Sequence, residues 1–545
     1  MKRVIYILIL VFFITGSAIA QNKEVKNVIL LIPDGTSLPV VSAARWYQRY
    51  NHPEITKLHI DPYLCGTVLT YSSNAPIGDS APTTSCYMTG YPSRAGYVST
   101  YPQADVLNDI IPMDSSRAFQ PLMTVLEAAR ITQNKATGLV FTCEFPHATP
   151  ADCAAHTYNR SKYEWIIPQM VHNKLDVVIG GGAGLLGKNN RQFLQSKGYG
   201  VFLNEIDSFR NNKRDRMWAL FGNTDMAYDI DRDSVKEPSL AEMTQKAIEK
   251  LSKNKNGFFL MVEGSKVDWA AHANDPVAMI TEALAFDRAC GVALDFAKSD
   301  GKTVVVIVPD HGNSGFSIGS NKCPNYTSLT KDELFGPVSK FKTSINKLIS
   351  ELQDTDPAGL REVFNRLTGI SLSESDYTQI LQCSDYKRST LSVDKRTKGL
   401  RMANVVTGIV DNNTCFGFTT SGHTGEEVFL AVYDPTPNRL NGHRTNIELN
   451  EYLRKTLGLK QSLETLTSNY FTKHTELFAN YSYTLLNDNG VQTLKVVNKD
   501  KILEIQPNTN IVKLNGKDIE LNSVIVFIDK NNTFYLPKSL KNLLQ

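Results

Sequence analysis

Residues 28–35 read VILLIPDG, and this stretch decides the class of fold. An uninterrupted apolar run that ends at Pro-Asp-Gly is typical of a strand buried on both faces of a parallel sheet. Asp34 comes directly after the run, so its carboxylate is expected at the C-terminal end of the strand. In open α/β sheets this edge collects the functional side chains.

The same pattern recurs further along the chain, at residues 139–142, 177–179, 258–262 and 304–308. Glu263 follows the third of these runs, and Asp310-His311 follow the fourth after one proline. Helical patterns such as residues 122–129 and 240–251 lie between the strands. This alternation predicts an α/β fold with a large, mostly parallel central sheet flanked by helices on both faces.

Residues 312–422 interrupt the alternation with polar and helical patterns. One helix is predicted around residues 345–352, and another begins at Asp356-Pro357, which suit a helix cap and a first turn. We interpret 312–422 as a helical insertion over the candidate site. The apolar run at residues 428–432 then predicts a last strand that returns to the main sheet.

The composition of the chain changes near residue 481. A main domain is expected over residues 21–460, followed by a helical connector over residues 461–481. Residues 482–545 consist of short β-prone runs separated by Asn-rich turn signals, which predict a small β-rich C-terminal module. This segment contains neither His nor Cys, so the chemistry is expected elsewhere.

The overall composition is that of an ordinary globular protein, with 42% hydrophobic and 21% charged residues in a chain of 545. The formal net charge is +3, and the basic residues are dispersed along the chain. Nucleic-acid binding normally needs clustered Lys and Arg on one face. No nucleic acid is therefore expected as a dedicated partner.

The N-terminus has the parts of a secretory signal. Lys2-Arg3 precede an apolar stretch over residues 4–14, and small residues follow over residues 16–20. The apolar stretch is shorter than the ~20 residues that span a bilayer, which argues against a retained anchor. We predict a signal peptide over residues 1–20, export to the periplasm or the medium, and no transmembrane segment after its removal.

Eight cysteines are present, an even number compatible with disulfides in an oxidising compartment. No CxxC pair occurs among them. Cys143 and Cys153 are close in sequence, so two alternatives stay open for them. They either form a disulfide or remain as buried thiols.

Acidic and imidazole side chains cluster after the predicted strands, namely Asp34, Glu263, Asp268, His272, Asp310, His311 and His423. Asp268 and His272 are four residues apart, so both face one side of a helix. Any one of these residues alone would be read as a solvated acid or a core histidine. As a set they would repel one another or stay unsatisfied without cations. Their nitrogen and oxygen donors suit a two-zinc site.

Residues 78–84 read GDSAPTT and are predicted to begin a helix. On local sequence alone Ser80 is best explained as a helix cap. The metal ligands favour a nucleophile instead, because a serine hydroxyl needs a base or a metal to become reactive. Thr149, in the sequence His147-Ala-Thr-Pro, and Arg160 add an oxygen ligand and a guanidinium suited to phosphate.

Taken in order, these motifs resemble those of the alkaline phosphatase family. The matching segments are Asp34-Gly35, Asp79-Ser80-Ala81, Ala148-Thr149-Pro150 with Arg160, residues 263–272, Asp310-His311, His423-Thr424-Gly425 and the glycines at 180–182. The motifs extend over residues 25 to about 440. Their number and order make the probability of a chance match very small. The resemblance implies a metal-dependent enzyme that hydrolyses small phosphate monoesters.

The resemblance also implies a role for each site residue. One zinc ion would be held by Asp268, His272 and His423. A second zinc ion would lie beside Ser80, held by Asp34, Asp310 and His311. A magnesium ion would be bound by Asp34, Thr149 and Glu263. Ser80 would carry a phosphoserine intermediate and Arg160 would hold the phosphate. Many members are homodimers, so a homodimer is the expected assembly.

Two phosphate-binding positions depart from the best-known bacterial pattern of the family. His147 stands where Asp is common, which resembles the animal members. Trp269 stands where Lys or His often lies near the phosphate. The loss of that contact predicts weaker inhibition by the phosphate product and faster release.

Two other functions stay open at this point. A phosphodiesterase or sulfatase of the same superfamily is the nearer alternative, although the sulfatase motif requires Arg where Thr84 stands. The other alternative is a noncatalytic binding protein whose C-terminal module makes a carbohydrate or envelope contact.

Overall fold

The computed structural model describes residues 24–323, 327–384, 392–488 and 490–545. The predicted signal peptide over residues 1–20 lies outside these ranges. Within them, no helix is both long enough and apolar enough to cross a membrane.

Helices and strands alternate through the first half of the chain. The helices are α1 Leu38–Asn51, α2 Ser80–Thr89, α3 Val125–Gln133, α4 Ala148–Ala151, α5 Tyr163–His172, α6 Lys188–Ser196, α7 Ile206–Asn211, α8 Leu240–Leu251, α9 Lys266–His272, α10 Pro276–Asp300, α11 Lys331–Ser339, α12 Ile345–Asp354, α13 Leu360–Thr368, α14 Glu374–Cys383, α15 Ser392–Asn413, α16 Asn446–Thr456, α17 Leu463–Tyr470 and α18 His474–Leu477. The strands are β1 Asn27–Pro33, β2 Leu64–Leu69, β3 Ala136–Glu144, β4 Val177–Gly181, β5 Gly200–Leu203, β6 Met217–Phe221, β7 Phe258–Gly264, β8 Thr303–Ile307, β9 Gly312–Asn313, β10 Ser317–Ile318, β11 Phe416–Gly417, β12 His423–Thr424, β13 Val428–Tyr433, β14 Gly442–Thr445, β15 Thr472–Lys473, β16 Ser482–Asp488, β17 Val491–Asn498, β18 Lys501–Ile505, β19 Ile511–Leu514, β20 Lys517–Glu520, β21 Val526–Ile528 and β22 Thr533–Leu536.

A ten-stranded sheet forms the centre of the molecule, in the order β14-β2-β13-β8-β1-β7-β3-β4-β6-β5. Its strands are parallel except for β13, which runs antiparallel to both of its neighbours, β2 and β8. The predicted parallel sheet and the returning strand at residues 428–432 are therefore confirmed. The reversed direction of that returning strand was not predicted.

Strand β1 explains why the opening run of sequence is apolar throughout. Val28 and Leu30 pack into a core with α3, α5 and α16, whereas Ile29 and Leu31 pack into a core with α8 and α10. Successive side chains of a strand point to opposite faces of the sheet. Because helices cover both faces, every position of the strand must be apolar.

The two ends of the insertion at residues 312–422 lie side by side. Strand β9 pairs with β12, β10 pairs with β11, and a disulfide joins Cys323 to Cys415 across 92 residues of sequence. Helices α11 to α15 lie between these ends, and their apolar side chains pack against α1, α9 and α10. Cys143 and Cys153 are free and buried, so the buried-thiol alternative holds for both.

Two small antiparallel sheets make up the C-terminal region. Strands β16 to β20 form one sheet in chain order. Strands β21 and β22 form the other together with β15, which lies in the predicted helical connector. The β-rich prediction for residues 482–545 is confirmed, but Val524, Val526 and Tyr535 pack into the same core as α3.

Candidate active site

Three buried carboxylates meet at the C-terminal edge of the central sheet. Asp34 follows β1, Glu263 lies near the end of β7, and Asp310 follows β8. They come together because β1 lies between β7 and β8 in the sheet. None of the three residues exposes any surface to solvent. Such a group of acids is stable only when protons or cations offset its charge.

Gly35 allows a fourth carboxylate to approach. Its backbone has a φ of +59°, and a Cβ atom there would lie 2.3 Å from Asp268 Oδ1. The Gly35 N–H donates to Asp310 Oδ1 over 3.1 Å. A side chain at this position would therefore be strained and would displace Asp268.

The first ligand group consists of Asp268 and His272 on α9 and His423 on β12. His272 Nε2 lies 3.1 Å from His423 Nε2 and 3.4 Å from Asp268 Oδ2. The Nδ1 atoms of the two rings face the carbonyl oxygens of Ser421 and Gly78, at 2.7 and 2.9 Å. Because a carbonyl oxygen only accepts, each Nδ1 carries a proton, and if both rings were neutral their Nε2 lone pairs would face each other. A cation or a proton must lie between them.

The second ligand group surrounds Ser80. His311 Nε2 lies 3.3 Å from Ser80 Oγ, 3.3 Å from Asp34 Oδ1 and 3.6 Å from Asp310 Oδ2. Both carboxylate oxygens of Asp34 and Oδ2 of Asp310 are buried without a hydrogen-bond partner among the described residues. Buried polar atoms are rarely left unsatisfied. These orphaned oxygens therefore fit a bound cation beside the serine hydroxyl.

The third candidate ligand group comprises Asp34, Thr149 and Glu263. Thr149 Oγ1 and Glu263 Oε1 are also buried and without a partner in the described chain. Cys143 Sγ, a ring nitrogen of His147 and a carboxylate oxygen of Glu263 lie within 4.8 Å of one another. The same holds for Asp268, His272 and His423, and for Asp34, Asp268 and His311.

The pKa values of these residues reflect this crowding. Burial raises the pKa of Asp34 well above its usual range, and the charges of Asp310, Asp268 and Glu263 add to the effect. Burial, followed by the charge of Asp310, raises the pKa of Glu263 to about 8. The hydrogen bond to Asp268 raises the pKa of His272 to about 9, so a proton offsets the charge where no ion is bound.

Ser80 is the first residue of α2 and not its cap. The cap position belongs to Asp79, and the whole helix from Ser80 to Thr89 is buried. The cap interpretation of Ser80 is therefore wrong. The hydroxyl is instead directed at the second ligand group, next to the N-terminus of a helix, which favours anions.

Arg160 is oriented by two neighbours. Its Nη1 donates to Asp79 Oδ1 over 2.7 Å, and its Nη2 donates to His147 Nε2 over 3.0 Å. Burial alone would raise the pKa of Asp79, but the charges of Arg160, His311 and His423 lower it overall. From sequence, Asp79 is recognisable only as part of the motif Asp79-Ser80-Ala81. Its signal is that it is an acid next to the candidate nucleophile, in a site that also contains an arginine with which it can pair.

Trp269 packs beside His147, one of the two residues that orient Arg160. Its ring meets that of His147 edge-on, with 5.9 Å between the centroids. The ammonium group of Lys266 lies 4.9 Å from the centre of the indole. Lys266 is itself held in an ion pair with Asp225. Trp269 is therefore fixed by packing and by a cation–π contact.

Comparisons with known proteins identify the family of this chain. The sequence profile of the family described as Alkaline phosphatase matches residues 25–459. Alkaline phosphatase 4 of Bacillus subtilis (strain 168) is 31% identical over 449 residues, which cover 79% of this chain and 89% of that protein. The crystal structure of a cold-active alkaline phosphatase from a psychrophilic Shewanella species superposes with a TM-score of 0.68 at 25% identity, covering 79% of this chain and 99% of that one.

A further structural neighbour shares the fold at lower similarity. It is a variant of the alkaline phosphatase from the Antarctic bacterium TAB5, solved with magnesium bound in the site called M3. Its TM-score is 0.54 at 23% identity, and the match covers 81% of this chain and 100% of that one. The profile match covers most of the chain, and the Bacillus relative exceeds 30% identity over most of its length. The chain therefore belongs to the alkaline phosphatase family and is a phosphatase.

Proposed function

We propose that this protein hydrolyses phosphate monoesters to an alcohol and inorganic phosphate through a phosphoserine intermediate on Ser80, at a site with two zinc ions and one magnesium ion. The observation that carries the proposal is the position of Ser80 Oγ. It lies 3.3 Å from His311 Nε2, and the same ring nitrogen lies beside buried carboxylate oxygens of Asp34 and Asp310 that have no hydrogen-bond partner in the described chain.

The donor atoms support a specific distribution of ions. Imidazole nitrogens and carboxylates in two groups suit zinc, held by Asp268, His272 and His423 and by Asp34, Asp310 and His311. The all-oxygen set of Asp34, Thr149 and Glu263 suits magnesium. The TAB5 neighbour with bound magnesium supports the third ion by analogy. When bound, the ions supply Lewis acidity that activates oxygen nucleophiles and offsets developing negative charge.

The chain's own residues would act on the ester in two displacements. Ser80 Oγ attacks phosphorus in line, and the bond to the ester alcohol breaks. Water then splits the phosphoserine and releases inorganic phosphate. Arg160 holds the nonbridging oxygens through both steps with its parallel N–H groups, and Asp79 and His147 keep the guanidinium in place.

Further parts of the proposal rest on sequence and family. The N-terminal sequence supports export, either to the periplasm or to the medium. The domain division proposed from sequence, with a main domain over residues 21–460, agrees with the extent of the profile match at residues 25–459. A homodimer is proposed by analogy with the family.

The experiment that tests the function compares three proteins. Wild type, Ser80→Ala and Ser85→Ala are assayed for p-nitrophenyl phosphate hydrolysis at alkaline pH, loaded with zinc and magnesium and again after chelation. Ser85 is a matched control, because it is a buried serine in the same helix as Ser80. We expect turnover in wild type and Ser85→Ala, and loss of turnover in Ser80→Ala and on chelation.

Other outcomes would favour the alternatives. Faster hydrolysis of bis-p-nitrophenyl phosphate than of the monoester would favour a phosphodiesterase. Binding of zinc and phosphate without turnover of either ester would favour a noncatalytic phosphate-binding protein. Full activity in Ser80→Ala would contradict the phosphoserine intermediate.

A further inference from the structure

A buried thiol lies beside the oxygens proposed for magnesium. Cys143 is on β3 and has no exposed surface, and its Sγ lies 3.4 Å from Glu263 Oε2. A ring nitrogen of His147 completes a group of three ligand atoms within 4.8 Å of one another. Neither the proposed magnesium ligands nor the proposed phosphate contacts use this sulfur.

The donors of this group have a clear chemical preference. Sulfur, imidazole nitrogen and carboxylate oxygen are the three ligand types that zinc accepts, whereas magnesium prefers oxygen alone. Two atoms of the group's own residues, Glu263 Oε1 and His147 Nδ1, are buried and unpartnered in the described residues, which is an independent sign that an ion belongs here.

We propose that Cys143 gives the third site a second mode, in which a thiophilic divalent ion such as zinc binds Cys143 Sγ, Glu263 and His147. In this mode the Cys143 S–H bond breaks, a sulfur–metal bond forms, and the proton passes to solvent without any change of oxidation state. The two modes share Glu263, so zinc and magnesium compete. The magnesium half of this statement rests on the function proposed above.

The competition has a consequence for Arg160, the residue proposed to hold the phosphate. Arg160 can only donate, so His147 Nε2 accepts its 3.0 Å hydrogen bond and Nδ1 carries the ring proton. An ion on Nδ1 would move that proton to Nε2 and break the bond from Arg160. Zinc in the third site should therefore weaken the binding of inorganic phosphate as well as displace magnesium.

The test uses cobalt(II), a coloured substitute for zinc, and the full mature chain freed of metal by chelation. Cobalt bound to a thiolate gives a sulfur-to-metal charge-transfer band in the near ultraviolet. We expect this band in wild type and its loss in Cys143→Ser, which removes the sulfur but keeps a donor to Glu263. The control is Cys290→Ser, the same exchange at another fully buried cysteine, and it should keep the band.

Zinc retention in equilibrium dialysis gives a second readout. Of the zinc ions that wild type retains, the most weakly bound one should bind at least about tenfold less tightly in Cys143→Ser. Loss of a residue that only hydrogen-bonds to a metal ligand already lowers metal affinity by about tenfold or more, and loss of the ligand itself should lower it at least as much. Excess magnesium should reduce the cobalt band of wild type. No band in wild type, or an equal band in Cys143→Ser, would overturn the inference.

The assay with p-nitrophenyl phosphate separates this inference from the proposed function. A cobalt band that depends on Cys143, in a protein that hydrolyses no phosphate ester, would sustain the thiol site and refute the phosphatase mechanism. Metal-dependent hydrolysis without any sulfur-to-metal band would support the phosphatase mechanism and refute the thiol site.

Discussion

Replacing Glu263 by Gln should stabilise the metal-free protein and destabilise the metal-loaded one. Burial raises the pKa of Glu263 from 4.5 to about 8. Between these two pH values the unfolded chain loses the Glu263 proton while the folded chain keeps it, so the stability of wild type falls as the pH rises. Each pH unit is worth about 1.4 kcal/mol, which gives a penalty of about 5 kcal/mol above pH 8.

Gln is neutral at every pH and escapes this penalty. In urea unfolding of the chelated proteins, the advantage of Glu263→Gln over wild type should therefore grow from pH 4.5 to pH 8 and stay constant above it. In the presence of magnesium the sign should reverse, because Gln is a weaker ligand and the ion stabilises only the folded state that binds it. A stability difference that is independent of pH, or the same with and without magnesium, would refute the reasoning.

Three further substitutions test the site. Gly35→Ala should lower kcat/KM by about a hundredfold, because its Cβ would collide with Asp268, and zinc retention in dialysis should fall with it; unchanged zinc content would contradict this. Arg160→Lys should lower kcat/KM by about 10- to 100-fold, because the ammonium group of Lys cannot donate two parallel hydrogen bonds to phosphate while it also donates to Asp79. A smaller loss would show that the planar geometry of the guanidinium is unimportant. Trp269→Lys should tighten inhibition by inorganic phosphate by about tenfold by adding a charged hydrogen bond, and an unchanged inhibition constant would argue against a phosphate contact at this position.

Most of the sheet was predictable because its buried strands are apolar without interruption. The runs that end at Asp34, Glu263 and Asp310 each correspond to a strand that reaches the candidate site. The direction of β13 was not predictable, because an apolar run has the same composition whether it lies parallel or antiparallel to its neighbours. Likewise, the Cys323–Cys415 bond closes a loop of 92 residues, and nothing in the local sequence pairs these two cysteines.

The proposed ligand residues could be named from sequence because metal chemistry limits the residue types. The supporting contacts could not, because they depend on side-chain placement. Asp79 accepts a hydrogen bond from Arg160, which is 81 residues away in sequence. Cys143 was weighed only as a disulfide or a buried thiol, and its proximity to Glu263 depends on the pairing of β3 with β7.

The C-terminal strands bear on how the protein can be shortened. Val524, Val526 and Ile528 pack into a core that also contains side chains of α3 and α17, and Arg130 donates to the carbonyl oxygen of Asn522. Removing everything after residue 481 would uncover apolar side chains of the phosphatase body itself. A minimal active fragment should therefore keep its last strands. Strands β16 to β20 should be kept with them, because Leu494, Leu503 and Val512 share a buried core with Ile525, Phe527 and Phe534.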